Sequence, residues 1–127
     1  MVRLLVDSDE LEVQLSSLER TLALRKLSVR VDRAHIRKVQ LTDDPFTWLR
    51  GVRAPGSHVP GRLAYGTWRS VFGSDFAAVR TGRPGVVIDL EGDPEFERIV
   101  VTTKHGIGLV KALQREGVDT GDVSELE

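Results

Sequence analysis

The sequence predicts a mainly β domain with two α-helices, built as an antiparallel barrel or sandwich of about seven strands. Short segments of alternating apolar and polar residues recur along most of the chain, separated by glycine, proline and aspartate. Two segments, one near each end, change to the helical period. A length of 127 residues is enough for one domain with its own core.

Composition excludes several classes of protein. The chain has no cysteine, so disulfides, cysteine-ligated zinc and thiol chemistry are excluded. No apolar run approaches the roughly 18–20 residues that a membrane-spanning helix needs. The first ten residues turn acidic after the fifth and lack the apolar region of a signal peptide. We therefore expect a cytoplasmic protein without a membrane span.

The first part of the chain predicts a strand, a short helix and two more strands. Residues 11–15 alternate as a half-buried strand, and residues 17–25 follow the helical period. Ser16 or Ser17 is the expected N-cap, with Glu19 or Arg20 near the capping-box position. The next strands cover residues 27–31 and 36–41, and a slip in the apolar spacing of the second predicts a β-bulge.

The middle of the chain, residues 45–76, holds most of the turn signals. The pairs Pro55-Gly56 and Pro60-Gly61 predict tight turns in a long loop. A meander of four strands is expected to follow, over residues 63–72, 76–80, 86–90 and 96–102. Gly66, within the first of these, predicts a bulge or a close approach of two backbones.

A C-terminal helix is predicted over residues 104–116, ended by Gly117. We expect it to cap one end of the barrel with a core-facing stripe of Ile107, Leu109, Val110 and Leu113. The domain is therefore expected to cover residues 1–117. Residues 118–127 are acidic with little to bury, and we expect a disordered tail there.

The net charge of −1 is unevenly distributed. Residues 50–83 carry six arginines against one aspartate, whereas residues 84–127 carry ten acidic residues against four basic ones. Such an asymmetry is typical of a protein with an anion-facing surface and a separate acidic one. The arginine usage of a GC-rich genome also produces such a basic stretch without any anion-binding surface, and we prefer that interpretation.

The turn residues of the middle segment resemble those of bacterial pleckstrin-homology-like (PH-like) domains, in particular small actinobacterial-type proteins. The resemblance covers about residues 10–113 and is carried by Ser17-Leu18-Glu19, Ile36, Val39, Pro45, Gly51, Arg53, Pro55-Gly56, Pro60-Gly61, Gly66-Thr67 and Phe76. The spacing Arg-x-Pro-Gly-x-x-x-Pro-Gly-x-x-x-x-Gly-Thr is its most specific part. The resemblance implies a barrel closed by a C-terminal helix. It implies no particular chemistry, because this group has no agreed catalytic or binding motif.

No catalytic, cofactor or metal site is predicted. The three histidines, His35, His58 and His105, lie in separate segments without metal-ligand spacing. Ser57 and His58 are adjacent, and neighbours rarely point at one another as a nucleophile and its base must. Asp43-Asp44 precedes a proline, where turn capping is the usual role of aspartate. The glycines of the middle segment precede a strand, whereas phosphate-binding loops precede a helix.

One arginine-rich segment is a candidate binding site. Its residues are Arg50, Arg53, His58, Arg62 and Arg69. Guanidinium groups bind carboxylate or phosphate in a bidentate manner, and Trp48 and Trp68 nearby offer stacking surfaces. In the alternative interpretation the tryptophans belong to the core and the arginines are solvated or paired with acidic residues from the C-terminal third.

The remaining ligand classes are disfavoured. Eukaryotic PH domains hold inositol phosphates in an early loop between strands. Here a helix occupies that connection, which makes phosphoinositide binding doubtful. An isoelectric point near 6.3 argues against nucleic acid. The sequence thus predicts a non-catalytic PH-like binding or scaffold domain that engages a protein partner or itself. The alternative is an enzyme or binder acting on a small anionic ligand at the arginine-rich segment.

Overall fold

The computed structural model describes residues 2–7, 9–25, 28–60, 62–104 and 106–114. The strands are β1 (Arg3–Val6), β2 (Glu10–Gln14), β3 (Val29–Asp32), β4 (Ile36–Thr42), β5 (Val52–Val59), β6 (Leu63–Ser70), β7 (Gly73–Arg80), β8 (Gly85–Leu90) and β9 (Arg98–Thr102). The helices are α1 (Ser17–Ala23) and α2 (Gly106–Gln114), and 3₁₀ turns cover Arg33–His35 and Pro45–Trp48. The predicted tail, Gly61, Leu27, His105 and Gly117 lie outside the described residues.

The strands form two sheets. The smaller has the order β1-β2-β3 and the larger the order β4-β8-β9-β7-β6-β5. The mainly β class is confirmed. Of the two predicted arrangements, barrel or sandwich, a closed barrel is not formed by the described residues, because their strands are divided between two sheets. Within the ranges given above, the edge strands of the larger sheet, β4 and β5, do not pair with each other. Each contacts a helix instead: α1 packs against β5 and β6, and α2 packs against β4 and β1.

One apolar core joins the two sheets. In β2 and β3 alternate residues point inward, and the same alternation in the larger sheet buries side chains such as Phe76, Ile88 and Ile99. Burying each such side chain stabilises the fold by roughly 1.5–3 kcal/mol. Ile99 and Val101 belong to this core, whereas Val100 lies in a second cluster on the opposite face of the sheet.

Both helices follow their sequence signals closely. The backbone N–H of Glu19 donates to Ser16 Oγ, and the backbone N–H of Ser16 donates to Glu19 Oε1, which confirms the capping box. In α2 the side chains of Leu109, Val110 and Leu113 are buried as predicted. Ile107, predicted to face the core, is instead exposed, because at about 100° per residue it lies roughly 110° around the helix axis from the centre of the buried stripe.

The predicted meander of four strands is wrong. Strand β9 lies between β8 and β7, antiparallel to the first and parallel to the second. The connection after β8 reverses the chain, with Leu90 N–H donating to the carbonyl of Glu97. Strand β9 is buried on both faces, and it takes the place beside β7 that the predicted meander gave to β8.

The two Pro-Gly pairs do not both form turns in a loop. Pro55-Gly56 lies inside β5, where the register with β6 is interrupted between Arg53 and Gly56. A proline lacks the N–H that a ladder requires, so it is tolerated at a bulge of an edge strand such as this one. The predicted bulge in β4 is confirmed between Ile36 and Lys38. Strands β1 and β5 were not predicted.

Candidate functional site

The connection from β4 to β5 crosses one face of the larger sheet. These strands are the two edges of the sheet, so residues 43–51, here called the crossing segment, run from one edge to the other. Its side chains Phe46, Trp48 and Leu49 pack against the second apolar cluster. The members of that cluster are Ala64, Trp68, Ala77, Val79, Val87 and Val100.

Arg50, the first candidate residue, anchors the end of the crossing segment to β7. Its Nε and Nη2 donate to Oδ2 and Oδ1 of Asp75 on β7, each at 2.7 Å. The Asp75 side chain is only 1% exposed. The hydrogen bonds to Asp75 raise the pKa of the Arg50 guanidinium, so it stays charged. A bidentate pair of this kind fixes orientation as well as charge.

A second arginine pair holds the middle of the crossing segment. Arg98 on β9 donates from Nε to Asp89 Oδ1 at 2.7 Å, and its guanidinium lies 5.2 Å from the centre of the Trp48 ring. The Trp48 indole N–H donates to Thr42 Oγ1 at 3.0 Å. Trp48 and Arg50 therefore both anchor the crossing segment to the larger sheet. Trp48 packs against the second apolar cluster, of which Trp68 is a member.

The other candidate residues are exposed and divided between surfaces. Arg53 and His58 lie on the face of Trp68, and the His58 ring meets the Trp68 ring edge-on with their centres 5.5 Å apart. Arg69 follows Trp68 in β6 and therefore lies on the opposite face. Arg62 lies in the turn between β5 and β6. Binding by these residues stays a prediction.

The turn between β6 and β7 carries an exposed apolar group that was not predicted. Ser70 pairs with Gly73, so the turn consists of Val71 and Phe72, which are 95% and 63% exposed. Val52 of β5 lies opposite Arg69 and is 71% exposed. We name Val52, Val71 and Phe72 the tip patch. Both turn residues were predicted to lie in a strand, where alternation would have hidden one of them.

A buried polar chain links α1 to the larger sheet. Arg80 Nε donates to the Tyr65 hydroxyl at 2.7 Å, and that hydroxyl donates to Glu19 Oε2 at 3.4 Å. Burial raises the pKa of Tyr65, although the bond from Arg80 opposes the shift. The phenol therefore stays protonated at neutral pH, and the group is suited to structure rather than to proton abstraction.

Within the described residues, no group of three or more histidine, aspartate or glutamate side chains is placed to hold a metal ion. None of the helices in that part of the chain is long and apolar enough to cross a membrane. No family model matches the sequence, and no curated protein or solved structure matches it either.

Proposed function

We propose that this chain is a non-catalytic binding domain that engages protein, and that a second copy of itself is a partner at the tip patch. The observation that carries the proposal is the exposure of three large apolar side chains at one end of the larger sheet. Exposed apolar groups gathered at one place are characteristic of interaction surfaces.

The turn residues themselves are unusual. Two-residue hairpin turns favour glycine, asparagine and aspartate, whereas here Val71 and Phe72 occupy both positions. Leaving them in water forgoes roughly 1.5–3 kcal/mol of burial for each side chain. The Arg50 guanidinium lies 4.8 Å from the centre of the Phe72 ring, so the ring is held in place by the fastened crossing segment. A positioned apolar side chain loses little freedom when it binds.

Charges of both signs flank the tip patch. Arg69 is exposed on one side. Glu97 is exposed on the other, where its backbone N–H donates to the carbonyl of Ser74 at 2.7 Å. A surface with an apolar centre and both charges at its rim is complementary to its own copy related by a two-fold axis. This pattern favours self-association over an exclusively acidic or basic partner.

The buried carboxylates support the non-catalytic part of the proposal. Asp75 and Asp89 are each bonded to an arginine, and Glu19 caps a helix. An active site requires ionisable groups that converge on a cleft and are available to a substrate. These three carboxylates are instead committed to holding the fold together.

Membership of the bacterial PH-like family remains part of the proposal, supported by the spacing of turn residues between Arg53 and Thr67. A cytoplasmic location belongs to it as well, since a chain without cysteine gains nothing from an oxidising compartment.

Sedimentation velocity over a range of protein concentrations tests the proposal. We expect the wild-type chain to form a dimer and the double variant Val71→Ser/Phe72→Ser to remain a monomer. Leu18→Ser/Ile107→Ser removes two apolar side chains that are exposed elsewhere, and it should still form the dimer. High salt should weaken the dimer only in part, because screening acts on the charged rim and not on the apolar centre. A wild-type monomer at every concentration would contradict self-association.

A further inference from the structure

A groove of about 880 Å³ lies beside the three-stranded sheet, away from the tip patch. Its lining comes from β1, β2, β3, α1 and three connections. The lining residues are Arg3, Glu12, Gln14, Leu15, Ser16, Arg20, Arg25, Ser28, Arg30 and Glu95. The volume falls in the range of small-molecule sites, roughly 300–1,000 Å³.

Four arginines line this groove, and each comes from a different segment of the chain. Two face carboxylates: Arg25 Nη1 lies 3.1 Å from Glu95 Oε2, and Arg30 Nη2 lies 3.7 Å from Glu12 Oε2. The other two, Arg3 and Arg20, form no ion pair with any residue that the structure describes. Four guanidinium groups against two carboxylates leave the groove with two excess positive charges.

Arg25 is held in a fixed position. Both terminal nitrogens donate to the Glu95 carboxylate, at 3.1 and 3.4 Å. Its guanidinium also lies 5.7 Å from the centre of the buried Phe76 ring and 5.5 Å from that of Phe96. A guanidinium already ordered by its surroundings loses less entropy when it binds an anion.

Neutral hydrogen-bonding groups complete the lining. Ser28 Oγ accepts a hydrogen bond from the backbone N–H of Leu15, which leaves the Ser28 O–H able to donate. Gln14 lies opposite Arg3 in the sheet and offers an amide. The carboxylates of Glu12 and Glu95 retain acceptor sites, so hydroxyl groups of a ligand would find both donors and acceptors here.

We propose that this groove binds a small phosphate monoester whose remainder carries hydroxyl groups. A phosphate monoester is a tetrahedral dianion, so its charge matches the two excess positive charges. Its oxygens can accept hydrogen bonds from guanidinium groups that approach from several directions. A planar carboxylate presents only two oxygens in one plane. None of the described lining residues is aromatic, so the groove offers hydroxyl-binding groups in place of a ring on which a base would stack.

Backbone amide NMR titration of the purified chain at constant ionic strength tests the proposal, with glucose 6-phosphate as the probe. We expect saturable shifts at Gln14, Ser16 and Ser28. Glucose should cause no such shifts, and inorganic phosphate should bind more weakly than the ester. The double variant Arg3→Gln/Arg20→Gln should weaken ester binding by roughly tenfold or more, since charge-assisted hydrogen bonds are lost.

The matched control is Arg37→Gln/Arg83→Gln, which removes two exposed arginines outside the groove and should leave the affinity unchanged. An equal loss in this control would overturn the proposal in favour of general electrostatic attraction. Absence of saturable binding by the wild type, tighter binding of citrate, or equal binding of inorganic phosphate would also overturn it. Binding to vesicles that contain phosphatidic acid, without binding to glucose 6-phosphate, would overturn the assignment of a soluble ligand.

Discussion

Gly56 of β5 lies directly opposite Gly66 of β6, and both have positive φ, of 142° and 136°. A Cβ on Gly56 would lie 2.1 Å from the carbonyl oxygen of Tyr65 and 2.8 Å from the Cα of Gly66. The two backbones therefore approach more closely than any side chain would allow. The bulge of β5 depends on this contact, because the register resumes at the glycine pair.

The first prediction is that this pair is required for stability. Gly56→Ala and Gly66→Val should each lower the free energy of unfolding by more than about 1 kcal/mol, because of backbone strain and, at Gly56, a clash with backbone. Urea denaturation measures the change. Gly82→Ala is the control, since Gly82 also has positive φ but has no atom within 4 Å of the added Cβ. Equal losses at Gly56 and Gly82 would show that the close approach adds nothing.

Local sequence signals predicted the individual helices, bulges and strands better than they predicted which strands pair with one another. The capping box, the bulge in β4 and the burial of Leu109, Val110 and Leu113 in α2 depend on residues close together in sequence, and all three are confirmed. The position of β9 between β7 and β8 depends on which strands bury the most surface together, and periodicity does not contain that information. Pro55-Gly56 was misassigned because turns and bulges select the same residues.

The candidate sites, like the strand order, depend on contacts between residues that are distant in sequence. No acidic residue lies between Arg50 and Arg69 in sequence, so any partner had to come from elsewhere. That partner for Arg50 is Asp75, which the pairing of β6 with β7 and the crossing segment bring within 2.7 Å. The arginines of the groove are spread over residues 3–30 among acidic neighbours in sequence. Only the pairing of β1, β2 and β3 shows that arginines outnumber carboxylates in the groove.

The second prediction concerns the packing of α2. Leu113 is fully buried, so Leu113→Asp should lower the free energy of unfolding by several kcal/mol, from lost burial and from a charge placed in the core. Thermal denaturation followed by circular dichroism measures this. Ala112→Asp places the same charge on the exposed neighbouring position and should have a small effect. A Leu113→Asp variant with the melting temperature of the wild type would show that α2 does not contribute to the core.

The third prediction concerns the fastening of the crossing segment. Asp75→Asn should lower the free energy of unfolding by roughly 2 kcal/mol or more, because it leaves the partly buried Arg50 without its carboxylate. Arg50→Gln, Asp75→Asn and the double variant form a cycle, and we expect a coupling energy above about 1 kcal/mol. The exposed Arg69→Gln should stay within about 0.5 kcal/mol of the wild type. Additive losses in the cycle would argue against a direct pair.

The fourth prediction concerns Tyr65, the single tyrosine of the chain, whose ionisation can therefore be followed without interference. Burial raises its pKa above the ordinary value of 10.0 in the folded state. The folded chain thus holds the phenolic proton more tightly than the unfolded chain. The resulting stability is fully present below 10.0 and is lost as the pH rises through the folded-state pKa.

Two measurements check this prediction. The phenolate absorbance of the native chain should develop above 10.0, together with the loss of native circular dichroism. Urea denaturation at rising pH should show a steeper fall in stability for the wild type than for Tyr65→Phe, which has no proton to lose there. Lysine and arginine side chains titrate in both proteins, so the difference between them isolates the phenol. A native chain whose phenolate appears below 10.0 would mean that Arg80, rather than burial, dominates the environment of the hydroxyl.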